Sequence, residues 1–327
     1  MAELTPKRLS ESPATDSLRQ PSFELARDQK AKREVSVLIT DLDNTLWPWF
    51  EIWHSSFRPF LDELVRVTGI PESVLKPEIK RVHQQHNTSE YSRVLEELPS
   101  LQKKYGSNFD PIEELPSVIA AYQDGRSSAS RLYDGVNKTL DQIDLTGAIT
   151  VGFTESQFYY TRQRIRTLDL DGHLEILYST ENQGTIPLDE VKRMRRMPND
   201  FYKLKRTETR ILPTSSKKPD PALLDMIVTS LRVDKSRVIY VGDDLHKDIS
   251  MANDAGVTSV HAAYGESHRD SRYSLLVDVT HWPPEDVRSQ KDASMRPNYI
   301  LKHSFSELLE EFVFVPYTPA QLSSAAQ

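Results

Sequence analysis

The chain contains no cysteine among its 327 residues. Disulfides, thiolate nucleophiles and cysteine-ligated metal sites are therefore excluded. It also lacks any apolar run approaching the roughly 20 residues needed to cross a bilayer. No apolar core like that of a secretory signal stands near the N-terminus, so the cytoplasm is the expected location. Positive charge is in deficit. The 41 Lys and Arg face 48 Asp and Glu, for a net charge of −7. That balance speaks against broad electrostatic binding to nucleic acid. There are no internal repeats. The length allows two modest domains with buried cores, and the mean hydropathy of −0.54 marks a polar chain expected to be soluble.

What is present is a series of short apolar runs rich in β-branched residues: Val35–Thr40, Ala148–Phe153, Leu174–Tyr178, Arg237–Val241 and Val257–His261. Continuous apolar runs of this length suit strands buried on both faces of a parallel sheet. Helical stretches separate them, one from near Glu155, one over Pro221–Leu231 and one over Lys247–Ala255. Strand and helix in alternation predict an α/β fold, a doubly wound parallel sheet of Rossmann-like type. About 100 residues after Leu46 break the alternation and read as helix. Trp53, Phe57, Phe60, Leu61 and Leu64 have amphipathic spacing. Further helices are expected over Glu72–His83, Ser89–Tyr105, Pro111–Tyr122 and Ser127–Ile143. This all-helical insert is expected as a cap domain over 47–146, the alternative being extra helices packed on the sheet edge. The core would then be 34–46 and 147–315. Residues 1–33, rich in charge, Ser and Pro, are expected to be a disordered tail, and 316–327 a flexible one.

Open α/β sheets bind ligands beyond the carboxyl ends of their strands. Four groups of chemically suited residues fall there: Asp41-Leu42-Asp43-Asn44-Thr45, Thr154, Lys217-Lys218, and Gly242-Asp243-Asp244 through Asp248. Asp41 and Asp43, at i and i+2, leave an extended chain on the same side. One carboxylate can attack phosphorus. The other can protonate the leaving oxygen and then take a proton from water. An acidic strand end can equally be a helix cap.

Asp41–Thr45 after an apolar strand resembles the first motif of the haloacid dehalogenase superfamily. Ile149–Thr154 resembles the second, Lys217-Lys218-Pro219-Asp220-Pro221 the third, and Val241-Gly242-Asp243-Asp244 through Asp248 the fourth, in the family's order. Ala255-Gly256-Val257, His261–Gly265, and Pro297–Ile300 leading into Phe305–Leu309 also look familial. The resemblance spans about residues 35–312. It implies a phosphatase-type hydrolase with a helical cap between the first two motifs. Asp41 would be the nucleophile, Asp43 the general acid and base, Thr154 a hydrogen-bond donor to a phosphoryl oxygen, and Lys218 the neutralising charge. Lys217 is the neighbouring candidate for that last role. A Mg²⁺ site would draw on Asp41, Asp43, Asp243, Asp244 and Asp248, the last two competing for a supporting place. The second acid at Asp43 separates phosphate-ester cleavage from the family's dehalogenases, which lack it. Phosphomutases keep it.

A small phosphorylated metabolite is the expected substrate, hydrolysed through an aspartyl-phosphate. Asn44, Thr45, Glu155, His83 and His86 are expected to contact it, along with the polar stretch through Tyr91. Trp47, Trp49 and Trp53 suit either the wall of the site or the core. Phosphoryl transfer to another acceptor, or phosphoryl binding without turnover, are the alternatives. A basic stretch, Lys192–Arg196 with Lys203, Lys205, Arg206 and Arg210, reads either as a patch for an anionic partner or as a solvated face balanced by acids.

Overall fold

The computed structural model describes residues 32–182, 197–289 and 295–320. Residues 1–31 of the expected N-terminal tail, the run Lys192–Arg196 and residues from 321 onward lie outside them, whereas Arg33, at the end of that expected tail, opens a strand. Nine strands are formed among the described residues: β1 (Arg33–Val35), β2 (Val37–Thr40), β3 (Ile149–Gln157), β4 (Ile176–Thr180), β5 (Glu208–Leu212), β6 (Val238–Gly242), β7 (Thr258–Ala262), β8 (Tyr299–Leu301) and β9 (Phe312–Phe314). Seven of them make one sheet in the order β5-β4-β3-β2-β6-β7-β8, and every pairing is parallel. The two short strands β1 and β9 pair separately, also in parallel. This is the expected doubly wound α/β sheet.

The central strand β2 is buried along its whole length. Alternation along it divides the core. Leu38 packs into the cluster shared with the helical insert, whereas Val37 and Ile39 pack on the other face with Phe153, Tyr240, Leu224 and Ile227. Leu224 and Ile227 belong to a helix over Pro221–Ser230, whose start is capped by the Asp220 carboxylate accepting from Ala222 N–H and Leu223 N–H.

Between β2 and β3 lie α1 (Trp49–Thr68), α2 (Glu72–His86), α3 (Pro99–Tyr105), α4 (Pro111–Glu114), α5 (Pro116–Ala129) and α6 (Val136–Leu145). The amphipathic stripe of α1 is buried as its spacing predicts, with Trp53, Phe57, Phe60, Leu61 and Leu64 all inside. Gly125 of α5 lets α1 and α5 approach closely, since a Cβ there would lie 1.9 Å from the Ser55 carbonyl oxygen. The helices expected over Ser89–Tyr105 and Pro111–Tyr122 are each broken. Pro99 and Pro116 start new helices because proline cannot donate an N–H and disfavours helix in the residue before it. The helix expected from Glu155 starts only at Phe158, as α7 (Phe158–Thr167), because β3 continues to Gln157.

The helical insert rests on a later helix, Tyr273–Val279. The His83 ring bonds the Val279 carbonyl through Nδ1 at 2.7 Å, and Ser89 Oγ lies 3.0 Å from Thr280 Oγ1. At the other end of the described chain, Tyr317 donates its hydroxyl to the Leu231 carbonyl at 2.6 Å. Within the basic stretch, Lys203 pairs with Asp200 and Arg210 with Glu208, both on the surface. Among the described residues no helix is long and apolar enough to cross a membrane.

Candidate active site

The register of the sheet brings the site together. Thr40 of β2 stands opposite Gly152 of β3 and Val241 of β6, so Asp41, Thr154 and Asp243 emerge at one end of three adjacent strands. The winding direction reverses between β2 and β6, which is where such sheets open a crevice. Asp41 N–H continues the ladder to the Val241 carbonyl at 2.8 Å. The chain then turns sharply, with Asn44 in the left-handed region at φ 60°.

The Asp41 carboxylate is buried. Lys218 Nζ donates to its Oδ1 at 2.5 Å and to Asp248 Oδ1 at 2.9 Å. The same ammonium sits over the Phe153 ring and near that of Tyr240. Tyr240 also donates its hydroxyl to Asp248 Oδ1 at 2.8 Å. Carboxylate oxygens of Asp41, Asp243 and Asp248 lie within 4.8 Å of one another. Burial pushes the Asp41 carboxyl up to about 8, with the Asp248 and Asp43 charges adding and Lys218 opposing. Burial and then the charges of Asp41 and Asp248 raise Asp243 well above the usual carboxylate range. Burial works against the Lys218 charge, but Asp248 and Asp41 hold its pKa well above the ordinary lysine value.

The donor set fits a divalent cation. Lys218 pairs with two of the three carboxylates, Asp41 and Asp248, so the fully ionised group would hold two negative charges more than its one ammonium offsets. Hard oxygen ligands in small number are what Mg²⁺ takes. The residues that could hold it are Asp41, Asp243 and Asp248.

Other expected members fall elsewhere. Asp244 turns away from this group: its Oδ1 accepts from His246 N–H at 2.8 Å and Lys247 N–H at 2.9 Å, capping the wide turn Leu245–Ile249. The Asp43 carboxylate is also held outside it. It accepts from Trp47 Nε1 at 2.6 Å and from Ser156 Oγ at 2.5 Å. Thr154 is buried and lines the cavity. Its Oγ1 accepts from Ser156 N–H at 3.0 Å, which leaves the hydroxyl proton free to donate. Asp248 both accepts from Lys218 Nζ and joins the acidic group, so of the two acids competing for the supporting place it is the one beside Asp41 and Asp243.

The residues expected against substrate divide. Asn44 and Glu155 line the cavity. Asn44 Oδ1, however, accepts from Phe50 N–H at the start of α1, and the Glu155 carboxylate accepts from Lys218 N–H at 2.9 Å and Lys247 Nζ at 2.7 Å. Thr45 does not reach the cavity, being fully buried behind Asp41 with Oγ1 3.4 Å from Asp41 Oδ2. His83 does not reach it either. Its ring is enclosed between the insert and the Val279 carbonyl, and burial pushes its pKa down to about 4, that of a neutral core histidine. The His86 ring stacks on Tyr91 with centroids 3.6 Å apart and bonds Glu97, and it too stands off the cavity wall. Of the stretch named with them, Asn87, Thr88, Ser89 and Glu90 do line it. So does Trp49, whereas Trp47 and Trp53 are core.

The cavity has a volume of about 210 Å³. Its wall includes Ser156, His281 and Trp282, none of which sequence reasoning proposed. Tyr240 was missed because a tyrosine inside an apolar strand carries no local signal. Ser156 had a signal, a hydroxyl two residues beyond Thr154 on the same side of the strand.

Gly242 makes the acidic group possible. A Cβ there would sit 2.3 Å from Asp248 Cγ and 2.4 Å from its Oδ2. Gly242→Ala must therefore displace Asp248. We expect activity to fall on the order of 100-fold, as for loss of a group supporting a metal ligand. In a titration of activity against Mg²⁺ the midpoint should also rise; an unchanged midpoint would remove Asp248 from the site.

The family model described as haloacid dehalogenase-like hydrolase matches residues 35–256, and a second HAD-hydrolase-like model matches 216–301. A glyceraldehyde 3-phosphate phosphatase of Pyrococcus furiosus is 23% identical over 261 residues, covering 75% of this chain and 88% of that protein. An N-acetylmuramic acid 6-phosphate phosphatase of Pseudomonas aeruginosa is 25% identical over 181 residues, covering 54% of this chain and 63% of that one. Among solved structures, a 2-haloacid dehalogenase from Pseudomonas syringae aligns with a TM-score of 0.42 at 18% identity, covering 84% of this chain and 97% of the other. With one family model spanning more than half the sequence, the chain belongs to the haloacid dehalogenase-like hydrolases.

Proposed function

We propose that this hydrolase is a Mg²⁺-dependent phosphatase of a small phosphorylated metabolite, working through an aspartyl-phosphate at Asp41. The observation that carries the reading is the contact of Asp41 with Lys218 at the rim of a polar cavity, with Asp243 and Asp248 beside it. The presence of Asp43 favours phosphate esters over carbon–halogen bonds, and two of the relatives are phosphatases of small phosphorylated compounds.

In the first step a carboxylate oxygen of Asp41 forms a bond to phosphorus. The bond from phosphorus to the ester oxygen breaks, and that oxygen takes a proton from Asp43. In the second step Asp43 removes a proton from water. The water oxygen attacks phosphorus, releasing phosphate and restoring the Asp41 carboxylate. Lys218 offsets charge on the nucleophile and the phosphoryl group, and Thr154 donates its free hydroxyl to a phosphoryl oxygen. Mg²⁺, held by Asp41, Asp243 and Asp248, would let two anions approach each other. The helical insert acts as the cap. Its Asn87–Glu90 segment covers the cavity, excluding water and limiting substrate size.

Phosphate release should be measured over phosphorylated trioses, hexoses, amino sugars and an aryl phosphate. Turnover is expected with Mg²⁺, falling at least ~100-fold after chelation, since the cation supplies several kcal/mol of charge stabilisation. Transfer to an added alcohol in excess of release to water would mark a phosphotransferase instead. Tight phosphate-ester binding without turnover would refute the catalytic reading.

A further inference from the structure

One buried cation has no part in the steps above. Arg164, on the α7 helix that follows β3, is 4% exposed. Its NH1 lies 3.5 Å from Asp43 Oδ1, and its NH2 donates to Glu90 Oε1. Its Nε is buried without a partner. Glu90 comes from the helical insert, is itself buried at the side chain, and accepts from Trp49 Nε1 at 3.0 Å. The guanidinium is therefore shared by two carboxylates, one in the insert and one in the nucleophile loop.

A guanidinium is costly to bury, and its flat fork sets the relative placement of the groups it bonds. The pair with Glu90 joins the insert to α7. The second arm reaches Asp43, whose remaining donors, Trp47 Nε1 and Ser156 Oγ, come from the loop after β2 and from β3. Asp43 and Glu90 both line the cavity. Arg164 thus ties the wall contributed by the insert to the side chain that must face the leaving oxygen.

We infer that Arg164 is a positioning residue for Asp43, orienting its carboxyl toward the leaving oxygen through a strut that is complete only while Glu90 is seated over the cavity. The inference rests on Asp43 serving as the acid in the proposed phosphatase. It separates leaving groups. An aryl oxide departs without a proton, whereas an alkyl oxide needs one in the transition state.

The test compares kcat/KM, which reports steps through the first phosphoryl transfer, for p-nitrophenyl phosphate and for the best alkyl phosphate found in the screen. The double variant Glu90→Gln/Arg164→Met removes both charges together, so neither is left buried alone. It is expected to lose on the order of 100-fold with the alkyl ester and under about threefold with the aryl ester. Arg164→Lys keeps a cation and serves if the double variant fails to fold; it should show the same bias to a smaller degree. Equal losses on both esters would show a merely structural strut and overturn the inference, as would no loss on either. A parent protein that releases phosphate from neither ester overturns the phosphatase reading itself, and the inference with it, and is told apart by needing no variant.

Discussion

Asp41→Asn is expected to lower phosphate release from an aryl phosphate by at least ~1,000-fold, because no other side chain can take the phosphoryl group in its place. The substitution keeps the volume of the side chain. It also removes a carboxyl whose charged form is disfavoured by burial and by the Asp248 and Asp43 charges, and Lys218 keeps Asp248 as a partner, so the metal-free variant should melt close to the parent. Inactivity would then be chemical rather than a failure to fold. A second readout is covalent. Brief incubation with substrate and rapid quenching should label the parent with a base-labile phosphoryl group and leave the variant unlabelled. A variant as folded and pure as the parent that keeps its activity would show that Asp41 is not the nucleophile.

Lys218→Met should act on stability and catalysis together. The ammonium is the shared partner of Asp41 and Asp248, and all three side chains are nearly inaccessible. Removing one member of a buried ion pair costs on the order of 3–5 kcal/mol, because the remaining charge is left uncompensated. Melting in the absence of metal should drop by several degrees. Added Mg²⁺ should recover part of that drop, since a cation among the same carboxylates replaces the missing charge. Activity should fall roughly 100- to 1,000-fold, the scale of losing one charge-stabilising contact to the transferring group. The adjacent Lys217 is exposed and makes no such contact with Asp41, so Lys217→Met should cost much less. Equal effects at both positions would mean that the ammonium at Asp41 is misassigned.

The core strands were legible because each is a short apolar run ending in polar residues, and a strand buried on both faces leaves that local mark. The weaker elements were not. Strand β8, with only three residues, draws its stability from its neighbour β7 rather than from its own composition. The helices expected over Ser89–Tyr105 and Pro111–Tyr122 run through Pro99 and Pro116, each of which opens a new helix, a place suited to a residue without an N–H, whereas Pro59 and Pro77 are carried inside α1 and α2. His83 shows the opposite failure. Its polarity suggested a ligand contact, yet the fold encloses it as a neutral ring on a backbone carbonyl.

From the sequence alone came the chemical inventory: an acid at the end of β2, a hydroxyl in the latter half of β3, a lysine ahead of a capped helix and an acidic run after β6. The acids and the hydroxyl follow from strand-end position, which local pattern reveals, and the lysine from the family resemblance of Lys218-Pro219-Asp220-Pro221. Tertiary structure alone decided how the inventory is divided. Asp244 is taken by the N–H groups of its own turn, while Asp248 is brought back past Gly242 toward Asp41. Asp43 is claimed by Trp47, Ser156 and Arg164, the last 121 residues away. The reason is physical. A carboxylate's role depends on which donors reach it first, and those donors come from strands and helices that become neighbours only when the sheet is assembled.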